Sequence, residues 1–417
     1  MKFALINVYY QFGSTGKGIK KNYIRLKKLG HEVKVFYGAE RQDVDDPNVI
    51  YFGVPFSRAI HLLGCKCFGL EGSLSNIATS KLLRYLDDYK PDVVWLSGMH
   101  GFYLNWNRLF AYIKKKRILT VYSMVDEYPF LGKCCSSFEC EKYLTGCHHC
   151  EHLKEYPESY FFDNSKRIFD KKRKAYEGWD DIIFRSAPYV VDKASKSMLL
   201  KGKEFATTDS SVDMNIFYPR DTNKLRKDLS IPEGAKVALL CAANSNVYKG
   251  AEYFMEAANL CTDDNIVFVQ VSFDGDRSEL PKNFRAVGFV SNQDRLAEYY
   301  SLADVYVCTS KSDAQPNACL EALGCGIPIV GFNISGVPFI APNEFGTFVE
   351  PFNVEQLAQA IRSVPHKTEE SVAACRAYAI SRFSIEATDT KHREFIEYLV
   401  SRVEKTTKEN QILADQI

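Results

Sequence analysis

Three groups of residues have the types and spacing to do chemistry. The first is a pair of acids, Asp313 and Glu321, within residues 310–330, SKSDAQPNACLEALGCGIPIV. Two carboxylates can accept hydrogen bonds from the vicinal hydroxyls of a sugar and a ribose. The same acids would also suit a helix that merely gains from negative charge at its N-terminus. Lys249 belongs with them. It stands just before a helix read over 250–260, whose free N–H groups and dipole favour phosphate. The second group is Cys134, Cys140, Cys147 and Cys150 in CCSSFECEKYLTGCHHC. Its CxxC pair suits one side of a tetrahedral Zn site, with Cys135, His148 and His149 as spare ligands. Free thiols or disulfides are the alternative. The third group is His100 and Asp126, each just past an apolar run, where a catalytic group can be presented. A histidine between Met99 and Gly101 reads equally as a satisfied loop residue.

Parallel strands and crossover helices must position these groups. The run 303–308 reads as a buried strand, 318–323 as a helix opened by Pro316 in its first turn, and 327–332 as the next strand. Strand, helix, strand in that order makes a parallel pair, and ligands sit at the carboxyl ends of such strands. The N-terminal half repeats the pattern. A strand at 3–10 meets Gly13, Gly16 and Gly18, then a helix carrying Ile19, Tyr23, Leu26 and Leu29, then a strand at 33–37. These glycines do not fit G-x-G-x-x-G, which argues against a nicotinamide oxidoreductase. A helix over 74–89 and a strand at 92–97 precede His100, and a strand at 118–124 precedes Asp126. Residues 236–242 form the strand before Lys249. A final helix is expected over 385–405 with Phe395, Leu399 and Val403 on one face, followed by a polar tail expected to fray.

Composition narrows the classes. A chain of 417 residues is more naturally two domains than one. A net charge of +1 gives no argument for nucleic acid. No apolar run is long enough to cross a membrane, and residues 3–10 are too short for a signal peptide. Thirteen cysteines without a secretion signal imply reduced thiols and a cytoplasmic protein. Lys166, Arg167, Lys171, Lys172, Arg173 and Lys174 could approach anionic headgroups at the inner face of a membrane. The interleaved Asp163, Asp170 and Glu177 favour an ordinary solvated helix.

The acid, the Glu eight positions on, the Ala-Leu that follows and the Gly-Ile-Pro together resemble the nucleotide-sugar site of family 4 glycosyltransferases. The resemblance implies retaining enzymes of α/β class with the GT-B fold, two Rossmann-like domains with parallel sheets facing across a cleft. It implies Glu321 on the nucleotide ribose, Asp313 on the donor sugar in place of the commoner Glu, and Lys249 on the pyrophosphate. Gly16, Asn317 and Ala318 complete the implied donor-binding set. Ala243 stands where many members carry a Gly-Arg pair, with Asn244, Ser245 or Asn246 as substitutes. The segment HGFYLN, and the four cysteines followed by LKEYP, resemble a subgroup acting on bacterial surface polysaccharides. That subgroup has His-Asp where this chain has Val125-Asp126. Asp126 and His100 are therefore the catalytic candidates, and valine's inability to move a proton keeps open an inactive nucleotide-sugar-binding partner. The implied layout is an acceptor-side domain over 1–210 with a Cys-rich insertion at about 130–177. A donor domain follows over 211–383, then a returning helix over 384–405 and a tail over 406–417. The expected ligands are a UDP-sugar and a glycan or lipid-linked acceptor, with no metal for the chemistry and a structural Zn at the cysteines.

Overall fold

The computed structural model describes residues 1–415, with side chains through 408. The chain forms two compact units: Met1–Ser186, Val190–Thr207 and the chain from Ile396 on; and Ala187–Tyr189 with Thr208–Phe395.

The first unit runs β1 (Lys2–Asn7), α1 (Gly13–Lys28), β2 (Glu32–Tyr37), β3 (Val49–Tyr51), α2 (Pro55–Phe68), α3 (Asn76–Tyr89), β4 (Val93–Ser97), α4 (Trp106–Lys116), β5 (Leu119–Ser123), α5 (Ser165–Tyr176), β6 (Ile182–Ser186), α6 (Pro188–Lys196) and β7 (Glu204–Thr207). Its seven strands are all parallel in the order β3-β2-β1-β4-β5-β6-β7. Helices cover both faces of such a sheet, so its strands are apolar throughout rather than alternating. In β1 every residue after Lys2 is buried, and in β4 all five are. The order reverses between β1 and β4, and His100 and Asp126 follow the neighbouring strands β4 and β5.

The second unit continues with α7 (Asn223–Asp228), β8 (Lys236–Cys241), α8 (Ala251–Leu260), β9 (Ile266–Val271), β10 (Phe284–Val287), α9 (Gln293–Leu302), β11 (Val305–Cys308), α10 (Asn317–Gly324), β12 (Ile329–Phe332), β13 (Gly346–Val349), α11 (Val354–Ser363), α12 (Glu369–Phe383) and the start of α13 (Ile385–Asp415), whose residues from Ile396 on belong to the first unit. Its six parallel strands lie in the order β10-β9-β8-β11-β12-β13, which reverses between β8 and β11.

Several sequence expectations are corrected. Helix α1 begins at Gly13, so Gly16 and Gly18 lie inside it; of the three, Gly13 alone has a positive φ, 66°. A Cβ on Gly16 would lie 3.1 Å from the backbone nitrogen of Gln11, so the glycine permits close packing on the incoming loop. Pro316 is the cap residue before α10, not part of its first turn. Helix α13 continues to Asp415, so most of the expected tail is helical; residues 416 and 417 lie outside the described residues. Its buried apolar side chains are Ile396 and Leu399, with Phe395 and Val403 only half-buried.

The basic run on α5 is not uniformly solvated. Lys172 is buried, and its Nζ donates to the carbonyls of Tyr128, Leu131 (3.0 Å) and Gly132 (3.1 Å). Burial pulls its pKa down to about 8. Among the described residues no helix is long and apolar enough to cross a membrane.

Candidate functional site

In the second unit the candidates gather where the strand order reverses, the place where ligands bind open α/β sheets. Lys249 ends a single 3-10 turn, Val247–Lys249, after β8. Thr309 Oγ1 donates to the Lys249 carbonyl at 2.8 Å, and the Lys311 amide to the Tyr248 carbonyl at 2.8 Å. These bonds stitch the β8 loop to the β11 loop. Gly250 allows the approach: its φ is +64°, and a Cβ there would lie 2.3 Å from the Thr309 carbonyl oxygen. Lys249 Nζ consequently donates to Asp313 Oδ2 at 2.7 Å, a half-buried ion pair. Asp313 is fixed in turn, because Gly336 N–H donates to its carbonyl at 2.9 Å and Gln315 N–H to its Oδ1 at 3.2 Å. A Cβ on Gly336 would fall 1.7 Å from the Ala314 carbonyl oxygen, so only glycine fits there.

Glu321 stands one turn inside α10, half-buried, with Tyr300 Oη donating to its Oε2 at 2.7 Å. Burial raises its carboxyl above the ordinary value, and the Tyr300 bond draws it partly back. Asn317 and Ala318 open α10, where backbone N–H groups have no partner within the helix. Asn244 faces inward. Its side-chain oxygen accepts from Gln270 Nε2 at 2.8 Å, and its amide donates to Asp274 Oδ1 at 2.5 Å. Ser245 gives both its amide and hydroxyl to the same carboxylate. Asp274 thus takes the loop donors expected to face a phosphate.

In the first unit His100 and Asp126 meet. His100 Nε2 lies 2.6 Å from Asp126 Oδ2, and Nδ1 lies 3.2 Å from the Tyr156 hydroxyl. The Tyr128 amide donates to Asp126 Oδ1 at 2.9 Å. Burial opposes charge on His100, but the Asp126 carboxylate and, further off, Glu71 outweigh it and raise the imidazole pKa. Val125, beside Asp126, is solvent-exposed. Gly16 lies in the first turn of α1 and packs on the loop that follows β1.

The cysteines Cys134, Cys140, Cys147 and Cys150, all unbridged, line one cavity of ≈ 20 Å³ with His148 and His152. The Cys134 thiol makes a hydrogen bond to Cys150, which lowers the Cys150 thiol below the ordinary cysteine value. Lys133 caps this loop from below, its Nζ donating to the carbonyls of His152, Leu153 and Glu155. No three of the four sulfurs lie within 4.8 Å of one another; the described set that does is His100, Asp126 and Cys135.

Sequence reasoning missed Cys135 beside the His100–Asp126 pair, Tyr300 behind Glu321, Asp274 under the loop, and Glu71. Glu71 is buried between α2 and α3, and among the described residues neither of its oxygens makes a well-formed hydrogen bond. Tyr300, Asp274 and Glu71 are remote in sequence from what they approach, and Cys135 reaches Asp126 only through an irregular loop, so no local spacing could have shown them. Tyr156 did carry a signal, since it lies in the LKEYP segment.

Comparison with known proteins places residues 236–366 in a match to the family described as "Glycosyl transferases group 1". A curated relative is the N-acetyl-alpha-D-glucosaminyl L-malate synthase of Bacillus anthracis, 26% identical over 145 residues, covering 33% of this chain and 37% of the relative. The chain spans less than half the length of the curated relatives it matches. Among solved structures, sucrose-phosphate synthase from Thermosynechococcus elongatus aligns with a TM-score of 0.59 at 15% identity, over 96% of this chain and 100% of that one. Anabaena HepE in complex with UDP aligns with a TM-score of 0.59 at 13% identity, over 95% and 100%. The two parallel sheets match these GT-B structures.

Proposed function

We propose, from the group 1 glycosyltransferase match over residues 236–366, that the protein is a retaining glycosyltransferase. It moves a sugar from a UDP donor to a glycan or lipid-linked acceptor of surface-polysaccharide type. The observation that carries this reading is the Lys249–Asp313 pair at 2.7 Å, with Glu321 on the adjoining helix. A cation beside two acceptor carboxylates fits a ligand with an anionic and a polyhydroxyl end. UDP in the similarly folded HepE supports the nucleotide.

In this reading Lys249 stabilises the diphosphate as the bond from the anomeric carbon to phosphate oxygen breaks, the electrostatic contribution that usually dominates such steps. First-turn N–H groups of Asn317 and Ala318 add to it. Glu321 accepts from the ribose hydroxyls and Asp313 from the sugar. The acceptor hydroxyl attacks from the face of departure, and its proton passes to the leaving phosphate. Asp126, held by the Tyr128 amide and His100, orients a hydroxyl of the acceptor.

The four cysteines would hold a structural Zn once their sulfurs draw closer than they stand here. All four line one small cavity, and the buried ammonium groups of Lys133 and Lys172 would balance the double negative charge of a Cys₄–Zn²⁺ centre. The metal would hold the loop together, a segment otherwise short of apolar core.

The exposed Val125 favours a second reading, a nucleotide-sugar-binding partner without turnover. UDP release decides between them, measured with acceptor extracts for wild type, Asp126→Ala, His100→Ala and Val125→His. A transferase loses roughly 10²-fold when a group that positions the acceptor hydroxyl is removed, and Val125→His, which adds a group able to assist the proton, accelerates release. No release from any donor, with tight UDP binding, establishes the partner instead.

A further inference from the structure

Helix α2 is inverted. A helix lying on a sheet turns its apolar stripe inward. Here the buried residues are Ser57, His61, Gly64 and Cys65. Phe56, Ile60 and Leu63, spaced four and three apart along one face, point to solvent, with Phe56 76% and Leu63 63% exposed. The buried side is held by polar bonds: His61 Nδ1 lies 3.0 Å from Ser75 Oγ, which donates to the Phe102 carbonyl at 2.8 Å. Burial keeps that imidazole neutral, its pKa lowered to about 4. The outward face is therefore a consequence of where the polar residues are needed, and it is apolar along about 10 Å of helix, from Phe56 to Leu63.

A second element extends the patch. The Tyr160 amide donates to the Lys66 carbonyl at 2.8 Å, and Asn164 Nδ2 to the Phe68 carbonyl. These bonds lay residues 160–164 along the end of α2, where Phe162 stacks on Phe68 with ring centroids 5.6 Å apart. Phe161 beside it is 75% exposed. Cations from α5 lie beside this surface, and α2 itself carries no acid. Lys171 Nζ donates to Ser73 Oγ at 2.9 Å, which sets α5 against the loop after α2. Helix α5 brings Lys166, Arg167, Arg173 and Lys174, all exposed, against Asp170 within the helix and Asp163 and Glu177 at its two ends.

We infer that Phe56, Ile60, Leu63, Phe68, Phe161 and Phe162 insert into the interfacial layer of an anionic lipid bilayer, with the α5 cations on its headgroups. Contiguous exposed apolar side chains of this size mark an interaction surface. A large apolar face edged by Lys and Arg is the pattern of a helix lying in a membrane interface. A second copy of the chain is disfavoured as occupant, because a two-fold contact through this face would set its cations against their own equivalents. The inference does not depend on the transfer reaction.

The test is sedimentation of the full chain with vesicles of phosphatidylcholine alone and of phosphatidylcholine with 30% phosphatidylglycerol (a chosen composition, about that of an anionic leaflet). Binding is expected to the anionic vesicles and to weaken with salt. Arg167→Ala with Lys174→Ala is expected to lower affinity about 25-fold, a factor of about 5 for each cation. Leu63→Ser with Phe161→Ser is expected to lower it at least about tenfold. Both variants replace exposed side chains, so unchanged melting and unchanged UDP affinity verify the fold. Absence of binding to anionic vesicles at low salt overturns the inference. So does binding that neither double variant weakens, or a dimer in solution that Leu63→Ser with Phe161→Ser dissociates.

Discussion

Replacing Glu71 by Gln should make the protein more stable at pH 8 and almost no different at pH 5. The Glu71 carboxyl is 1% exposed, and its pKa rises from 4.5 to about 7. Burial is the main cause; the charge on His100 and the Gly101 amide pull the other way without cancelling it. Between 4.5 and 7 the folded chain holds a proton that the unfolded chain has released. Each pH unit in that window costs about 1.4 kcal/mol of stability, or about 3 kcal/mol across it. The stability is fully present below the unfolded value and is lost as pH rises through the folded one. Gln keeps the shape and cannot ionise, so at pH 8 it recovers most of that sum, less about 1 kcal/mol if its amide donors go unmet. For a unit of roughly 200 residues this is about 4–10 °C in melting temperature. His100, raised above the ordinary histidine value, contributes a slope of the same sign, so the comparison is between wild-type and variant curves rather than with a flat line. The assay is thermal unfolding of both proteins from pH 5 to 8.5. Parallel curves would show that Glu71 does not carry its proton into the folded state.

The donor cluster and the cysteines give the remaining expectations. Glu321→Ala should weaken UDP by about 1.5–3 kcal/mol, the usual worth of a hydrogen bond to a charged acceptor. Lys249→Ala should weaken UDP and leave uridine unaffected; calorimetry showing UDP unchanged in both variants would remove these residues from the site. Protein purified without added metal should contain one Zn per chain, and chelation should lower the melting temperature more than it lowers UDP affinity. Elemental analysis finding no metal, with Cys134, Cys140, Cys147 and Cys150 all freely titratable, would eliminate the centre.

Much of the scaffold was legible because parallel strands buried on both faces are unbroken apolar runs, as in KFALIN and VVWLS. The Asp313–Glu321 stretch was legible because strand, loop and helix lie consecutively in the chain. Lys249 lies 64 residues from Asp313, and only their common relation to the β8–β11 reversal brings them together. The basic run on α5 misled for a different reason. Its charge pattern says nothing about which lysine faces inward, and Lys172 is buried by carbonyls 40 to 44 residues earlier. The outward apolar face of α2 was hidden too: its periodicity is that of an ordinary packed helix, and the buried polar side depends on Ser75 and Phe102, which follow it.

The Lys249–Asp313 pair has a consequence for selectivity. With a carboxylate already 2.7 Å from the ammonium, the site offers an incoming anion little net charge. Free phosphate, abundant in any cell, must compete with an acid tethered at high effective concentration. A ligand that separates the pair without loss must give each partner something new: oxygens for the lysine and hydroxyl donors for the aspartate, at a fixed distance apart. In the proposed donor site the ion pair would therefore work as a coincidence detector, sparing the site from occupation by half of its ligand.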